Sequence, residues 1–167
     1  MRTHLPSSLG ILSITALLCI GARHVHAQGG PLRVVLPAHC DTVLALGTTA
    51  VWPTASERVR AHGGDTATYE GFRMQDVLRN ACPLIRDLDK KELAAVTLLV
   101  EAADGYKAAF AWAEVDTAYR AHPLIIALRK NGVALDAHDG PLQLIMPTDE
   151  RHARWVRQLR SVRIIRP

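Results

Sequence analysis

The chain has 167 residues, a formal charge of +4 and 49% apolar residues, enough for one ordinary hydrophobic core. No Pro/Ser-rich linker or internal repeat divides it, so one domain is expected. The small charge excess and an aromatic share of 5% exclude a general nucleic-acid binder and a base-stacking surface.

Residues 1–27 read as an export signal. Arg2 and His4 precede an apolar stretch of 13 residues from Leu9 to Gly21, and Val25-His26-Ala27 offers a small residue for cleavage before Gln28. That stretch is short of the roughly 20 residues a membrane-spanning helix needs, and no later segment is longer, so no span is expected in the mature form. Leu18 precedes Cys19 where a lipoprotein signal has Gly, Ala or Ser. No Arg-Arg pair precedes the apolar stretch, so the route is the general secretion type rather than the twin-arginine type, and the location periplasmic or secreted. Cleavage leaves 140 residues, 28–167, with a charge of +2, because Arg2 and Arg23 leave and no acid does.

In chain order, Leu32 to Leu36 and Thr42 to Leu46 are apolar, β-branched runs that predict two strands. Val51 to Thr68 holds Pro53, Gly63 and Gly64 without sustained periodicity and reads as loop with a helical turn near Ser56 to Arg60. Met74, Val77, Leu78 and Ala81 fall at i, i+3, i+4 and i+7, the stripe of a helix that Pro83 stops. A short helix is expected within Asp87 to Ala95. Val96 to Ala103 and Tyr106 to Phe110 then form a hairpin across Asp104-Gly105. Trp112, Val115, Ala118 and Tyr119 predict another short helix, ended by Pro123. Leu124 to Leu128 suits a strand buried on both faces, turning at Asn131-Gly132 toward Val133 to Leu135. Leu142 to Met146 and Leu159 to Ile165 complete the strands, and the alternation predicts an α+β domain with a mixed or antiparallel sheet.

Several ordered motifs carry a resemblance to a known family. They are Tyr69-Glu70-Gly71-Phe72 with Asp76-Val77-Leu78, Glu101 to Tyr106 (Glu-Ala-Ala-Asp-Gly-Tyr), Asn131-Gly132, Asp139-Gly140-Pro141-Leu142, and Pro147 through Arg154-Trp155-Val156. The ordered set, over roughly residues 43 to 166, resembles the oxidoreductase molybdopterin-binding domain of sulfite oxidase-like enzymes in a short stand-alone form. The resemblance implies a single-domain sulfite oxidase-like fold and a molybdopterin cofactor. It also implies that a cysteine thiolate on a loop ahead of Tyr69 should hold the metal, because soft sulfur donors suit it. Val59 to Thr68 contains no cysteine, and Cys40 stands 29 residues before Tyr69. Cys40 is therefore the metal candidate only if a rearranged loop brings it in. Leu128 also occupies the position of a tyrosine that orients an oxyanion in sulfite-oxidising relatives.

Cys40 and Cys82 are the two cysteines left after cleavage. An oxidising compartment permits a disulfide between them; the alternative is two unpaired thiols. Arg151, Arg154, Arg157, Arg160, Arg163 and Arg166 recur every third residue, a spacing that winds around a helix rather than forming one stripe. Arg151 and Arg154 are the best pair for an anion site, because in cofactor-bearing relatives this turn lies near the pterin phosphate. The loop from His62 to Tyr69 is the expected partner wall. His39, Asp41, His62, His138 and Asp139 show no metal-ligand spacing on a shared helix face. Turn chemistry accounts for Asp104 and Asp139, each before a glycine. Tyr106 either lines the central cleft or packs in the core. Trp112, Tyr119 and Trp155 read as packing residues. No phosphate loop, nucleophile elbow or His-Glu-x-x-His motif is present.

Three readings follow. The first is an exported binding or sensing module that lacks the metal-ligating cysteine and captures a small anionic ligand or a protein partner. The second is a molybdopterin-dependent oxidoreductase acting on a small oxyanion or sulfoxide-type substrate. The third is a structural partner of a membrane-bound sensor or redox complex.

Overall fold

Alternating burial along the outer strands and unbroken burial along one central strand organise two sheets in the computed structural model, which describes residues 29–47, 53–60 and 64–166. The expected export signal, 1–27, and His62 lie outside the described residues. The first sheet has the order β2 (Cys40–Gly47), β1 (Gly29–Leu36), β10 (Leu159–Ile165), β5 (Thr97–Ala102), β6 (Lys107–Ala111). β1 and β10 run parallel with Val34 beside Val162, and the other pairs are antiparallel, so the sheet is mixed. Leu32, Val34, Leu98, Val100, Val162 and Ile164 are fully buried, each two residues from its strand partner, as the strand period requires.

The second sheet orders β3 (Thr54–Arg60), β4 (Thr66–Arg73), β7 (Ile125–Lys130) and β8 (Val133–Ala134), with β9 (Gln143–Ile145) also paired to β7. Ile125, Ile126, Ala127 and Leu128 of β7 are all buried, as expected for the continuous apolar run. Asn131 and Gly132 both take positive φ (52° and 76°), the geometry of a tight hairpin turn, and the Asn131 side chain accepts from the Thr68 amide at 2.8 Å. Gly71 has a steric reason: the register shifts between Glu70 and Gly71, and a Cβ there would collide with the Ile126 carbonyl.

Helix α1 (Met74–Ala81) buries Met74, Val77, Leu78 and Ala81, the expected stripe. α2 (Leu84–Asp87) follows Pro83, and α3 (Lys90–Ala94) starts at a capping box. In that box Asp89 accepts from the Lys91 and Glu92 amides, and Glu92 accepts from the Asp89 amide. The buried side chains of both sheets and α1 form one continuous cluster.

Two sequence expectations are corrected. Thr54–Arg60 is a strand, not a helical turn, because Ala55 and Val59 turn inward while pairing with β4 runs from Thr54–Phe72 to Arg60–Thr66. α4 is only Trp112–Val115, and Tyr119 is exposed. The buried Asp116 carboxylate ends it: one oxygen accepts from the Trp112 indole at 3.0 Å and from Arg79 at 3.3 Å, and the other from the Ala118 amide at 2.9 Å. These bonds bend the chain away from a second turn.

Cys40, at the start of β2, is disulfide-bonded to Cys82, which follows α1, with Cα atoms 5.9 Å apart. The Thr42 hydroxyl donates to the Ala81 carbonyl at 3.1 Å beside it. The bond ties the outer strand of the first sheet to the helix that leaves the second.

Candidate anion-binding cleft

A cleft of about 1400 Å³ opens where the ends of both sheets meet. Strand ends supply Arg60 and Lys130, the middle of β4 supplies Tyr69, the β5–β6 turn supplies Asp104 and Tyr106, and the segment after β9 supplies Pro147 to Ala153, Trp155 and Arg157. The Asp104 carboxylate accepts from the Tyr106 amide at 2.9 Å, which is the turn role expected of it. Tyr106 lines the cleft and is 46% exposed, which settles its two alternatives against core packing. Its hydroxyl donates to the Ala153 carbonyl and so holds the 3-10 turn His152–Arg154 against the hairpin.

The aromatic wall is layered. Tyr69 meets Trp155 edge-on with ring centroids 5.5 Å apart, and His152 stacks on Trp155 with centroids 3.8 Å apart. The Trp155 indole donates to the Met146 carbonyl at 3.0 Å, fixing the ring. Burial pushes the Tyr69 phenol above its ordinary range, against the opposing pull of the Lys130 ammonium, 5.7 Å from the ring centroid. Tyr69 therefore presents a neutral hydroxyl at neutral pH.

The charges divide into neutralised and open ones. Arg157 Nε donates to Asp139 at 3.0 Å, and Arg157 also donates to His138 Nε2 at 3.3 Å. His138 Nε2 thus accepts, which leaves Nδ1 as the protonated nitrogen that donates to Asp139 at 3.0 Å. Asp136, His138 and Asp139 bring three donor atoms within 4.8 Å of one another, but the Arg157 guanidinium on Asp139 opposes a cation there. Backbone bonds from Asp139 and His138 hold the Asp136 carboxyl below its usual range.

Arg154, the strongest sequence candidate for an anion contact, is committed elsewhere. It grips Asp149 with two bonds of 3.0 and 2.7 Å, donates to Glu114 at 2.9 Å, and lies over the Phe110 ring at 5.1 Å. Asp149 and Glu114 raise its guanidinium well above the usual arginine value. It is not among the cleft residues, and the expectation of an Arg151–Arg154 anion pair gives way to a structural role. Arg151, exposed at the rim, and Arg60 form no ion pair with the described residues. The every-third arginines separate because they fall on a 3-10 turn, a loop and strand β10 rather than on one helix, with Arg157 on Asp139 and Arg166 on Glu92 at 3.1 Å.

Cys40 is likewise corrected as a metal candidate. It is bound to Cys82, neither sulfur lines the cleft, and a disulfide offers no thiolate. Of the sequence candidates, then, Tyr69 and Arg151 share the cleft, Arg154 and Cys40 are structural, and His62 is outside the described residues.

Sequence reasoning missed Arg60, Lys130 and Gln143. Arg60 and Lys130 were hidden because their positions depend on Arg60 ending β3 and on Lys130 standing beside Tyr69 across the β4–β7 pair. Gln143 did carry a signal: it is the one polar residue in the run Leu142 to Met146.

This α+β architecture of two five-stranded sheets, with a cleft of mixed charge lined by residues of both, is that of a sulfite oxidase-like molybdopterin-binding domain. Residues 40–166 match the oxidoreductase molybdopterin binding domain, and the chain belongs to that family. Among solved structures it is similar to the sulfane dehydrogenase SoxCD from Paracoccus pantotrophus, with a TM-score of 0.62 and 18% identity. The likeness covers 82% of this chain but only 38% of that one. No match is found among curated proteins. No helix of the described residues is long and apolar enough to cross a membrane.

The family's cofactor can be tested against these donors. Arg60, Lys130 and Arg151 suit the phosphate of a pterin, but no described cysteine is free to hold a metal, so the donor set does not fit the complete molybdenum group.

Proposed function

We propose that this chain is an exported binding or sensing module on the sulfite oxidase-like fold, and that its cleft captures a small anionic ligand. One observation carries the reading: the cleft is lined by Arg60 and Arg151, which form no ion pair with the described residues, while the family's expected sulfur chemistry is closed by the Cys40–Cys82 bond. A guanidinium at a concave, partly apolar wall binds an oxyanion through charge and paired N–H donors without any covalent step. Tyr69 adds a neutral hydroxyl and Lys130 a third positive charge. Asp139 leaves Arg157 largely neutralised, so attraction concentrates on the Arg60, Lys130 and Arg151 side. Export through the general secretion route, in an unfolded state, agrees with a module that carries no large prebound group. Its ligand-bound state then serves either as the signal itself or as the surface a periplasmic or membrane-bound partner reads.

Calorimetric titration of mature protein with phosphate and sulfate tests this. Binding of at least one anion is expected, and Arg151→Glu should weaken it about tenfold or more, ~1.4 kcal/mol. The reading fails if neither anion binds, or if charge reversal at Arg60 and Arg151 together leaves the affinity unchanged.

A further inference from the structure

Gln143 is 2% exposed, lies on β9 among the fully buried Leu142, Leu144, Ile145 and Met146, and is paired across the ladder with Ala127. Its Oε1 is buried and has no hydrogen-bond partner, the one such side-chain atom among the described residues. A buried acceptor left unpaired costs about 1–3 kcal/mol, which an apolar residue in the same strand would not incur. Gln143 nevertheless reaches the surface at one place, the cleft, which it lines with Tyr69 and Lys130. The other buried polar side chains, Gln75 and Asp116, are fully engaged: Gln75 bonds Thr117 twice, and Asp116 holds Trp112, Arg79 and Ala118. The deficit is therefore local to the cleft.

From this we infer that Gln143 reads a hydrogen-bond donor on the ligand, so that the cleft takes anions carrying their own O–H or N–H in preference to anions that carry none. The inference rests on the anion reading of the same cleft and specifies its ligand class. Arginines and the lysine attract any anion, because they are donors only. An acceptor discriminates: Oε1 gains a bond from a protonated oxyanion or an amine-bearing acid, whereas on a fully deprotonated one only the Nε2 amide can bond and Oε1 stays unpaired. The terminal carboxamide torsion is broad, so rotation about it can turn Oε1, buried in the ligand-free protein, toward a donor in the cleft.

Phosphate and sulfate separate these cases, since phosphate near neutral pH keeps an O–H and sulfate has none. The higher charge of sulfate would favour it on attraction alone, so a phosphate preference reports the acceptor. The expected result is phosphate binding about tenfold tighter than sulfate, ~1.4 kcal/mol. In Gln143→Met the preference should fall to about unity, with sulfate affinity unchanged and the ligand-free Tm raised by removal of the orphaned oxygen. A purely structural role would move both anions together. Equal binding by the wild-type protein, or a preference retained in Gln143→Met, overturns the inference and leaves the anion reading standing. Binding of neither anion to the wild-type protein overturns both. The wild-type comparison decides the matter even if the variant fails to fold.

Discussion

Arg154 and Arg151 lie three residues apart and sit in different surroundings: Arg151 lines the cleft and Arg154 does not. Arg154 bridges Asp149 and Glu114 from opposite sides and covers Phe110, so its loss strands two carboxylates that are largely covered. Arg154→Ala is expected to cost about 1–3 kcal/mol by chemical denaturation while leaving anion affinity within about threefold of wild type. A large loss of affinity with unchanged stability would return Arg154 to the binding site. Asp136 gives a pH test of the neighbouring turn. Its folded pKa is lowered from the ordinary 3.8, chiefly by the Asp139 amide. The stability it contributes is therefore complete above that ordinary value and is lost as pH falls through the lowered one. Wild type and Asp136→Ala should differ in Tm at about pH 6 and converge toward about pH 2, where both carry a neutral side chain or none. A difference that persists undiminished in acid would contradict the assignment.

At the scale of elements, the Cys40–Cys82 bond spans 42 residues and joins the outer strand β2 to the end of α1. Cross-linking a loop of that length restricts the unfolded chain, so Cys82→Ser should destabilise by about 2–5 kcal/mol in urea or guanidinium melts. If instead both thiols react in the unreduced, denatured protein, the bond is absent in solution. Elements with local causes were legible in the sequence. The α1 stripe needs only its own periodicity, the two hairpin turns need only Asp104-Gly105 and Asn131-Gly132, and β10 is a β-branched run with its own ends. β3 was not legible, because Ser56, Glu57 and Arg58 are polar and the strand forms through its partner β4. Nor was the truncation of α4, because Tyr119 continues the helical spacing and only the Asp116 bonds, two of them made by side chains, stop the helix. The site divided in the same way. Tyr69 and Arg151 sit in motifs that carry the family pattern, whereas Arg60 and Lys130 enter through strand pairing that no local window contains. The ion pairs of Arg154 were not legible, because its carboxylate partners Glu114 and Asp149 come from two separate segments.

The whole molecule combines a family fold with a cleft for which no described cysteine is free to hold a metal. Fold and activity are separable, because most of the buried side chains and ladder pairs that hold the sheets lie outside the cleft. The chain spans 38% of the sulfane dehydrogenase SoxCD chain it resembles, so the shared part is the domain and not the larger protein around it. The central claim is that this domain binds an anion in the family cleft without the family's metal. It is tested most directly by elemental analysis for molybdenum, with oxidised-pterin fluorescence, on mature protein recovered from the periplasm of a host that makes the cofactor. Both signals well below stoichiometric are expected; molybdenum and pterin each near one per chain would contradict the claim and restore a metal-centred reaction.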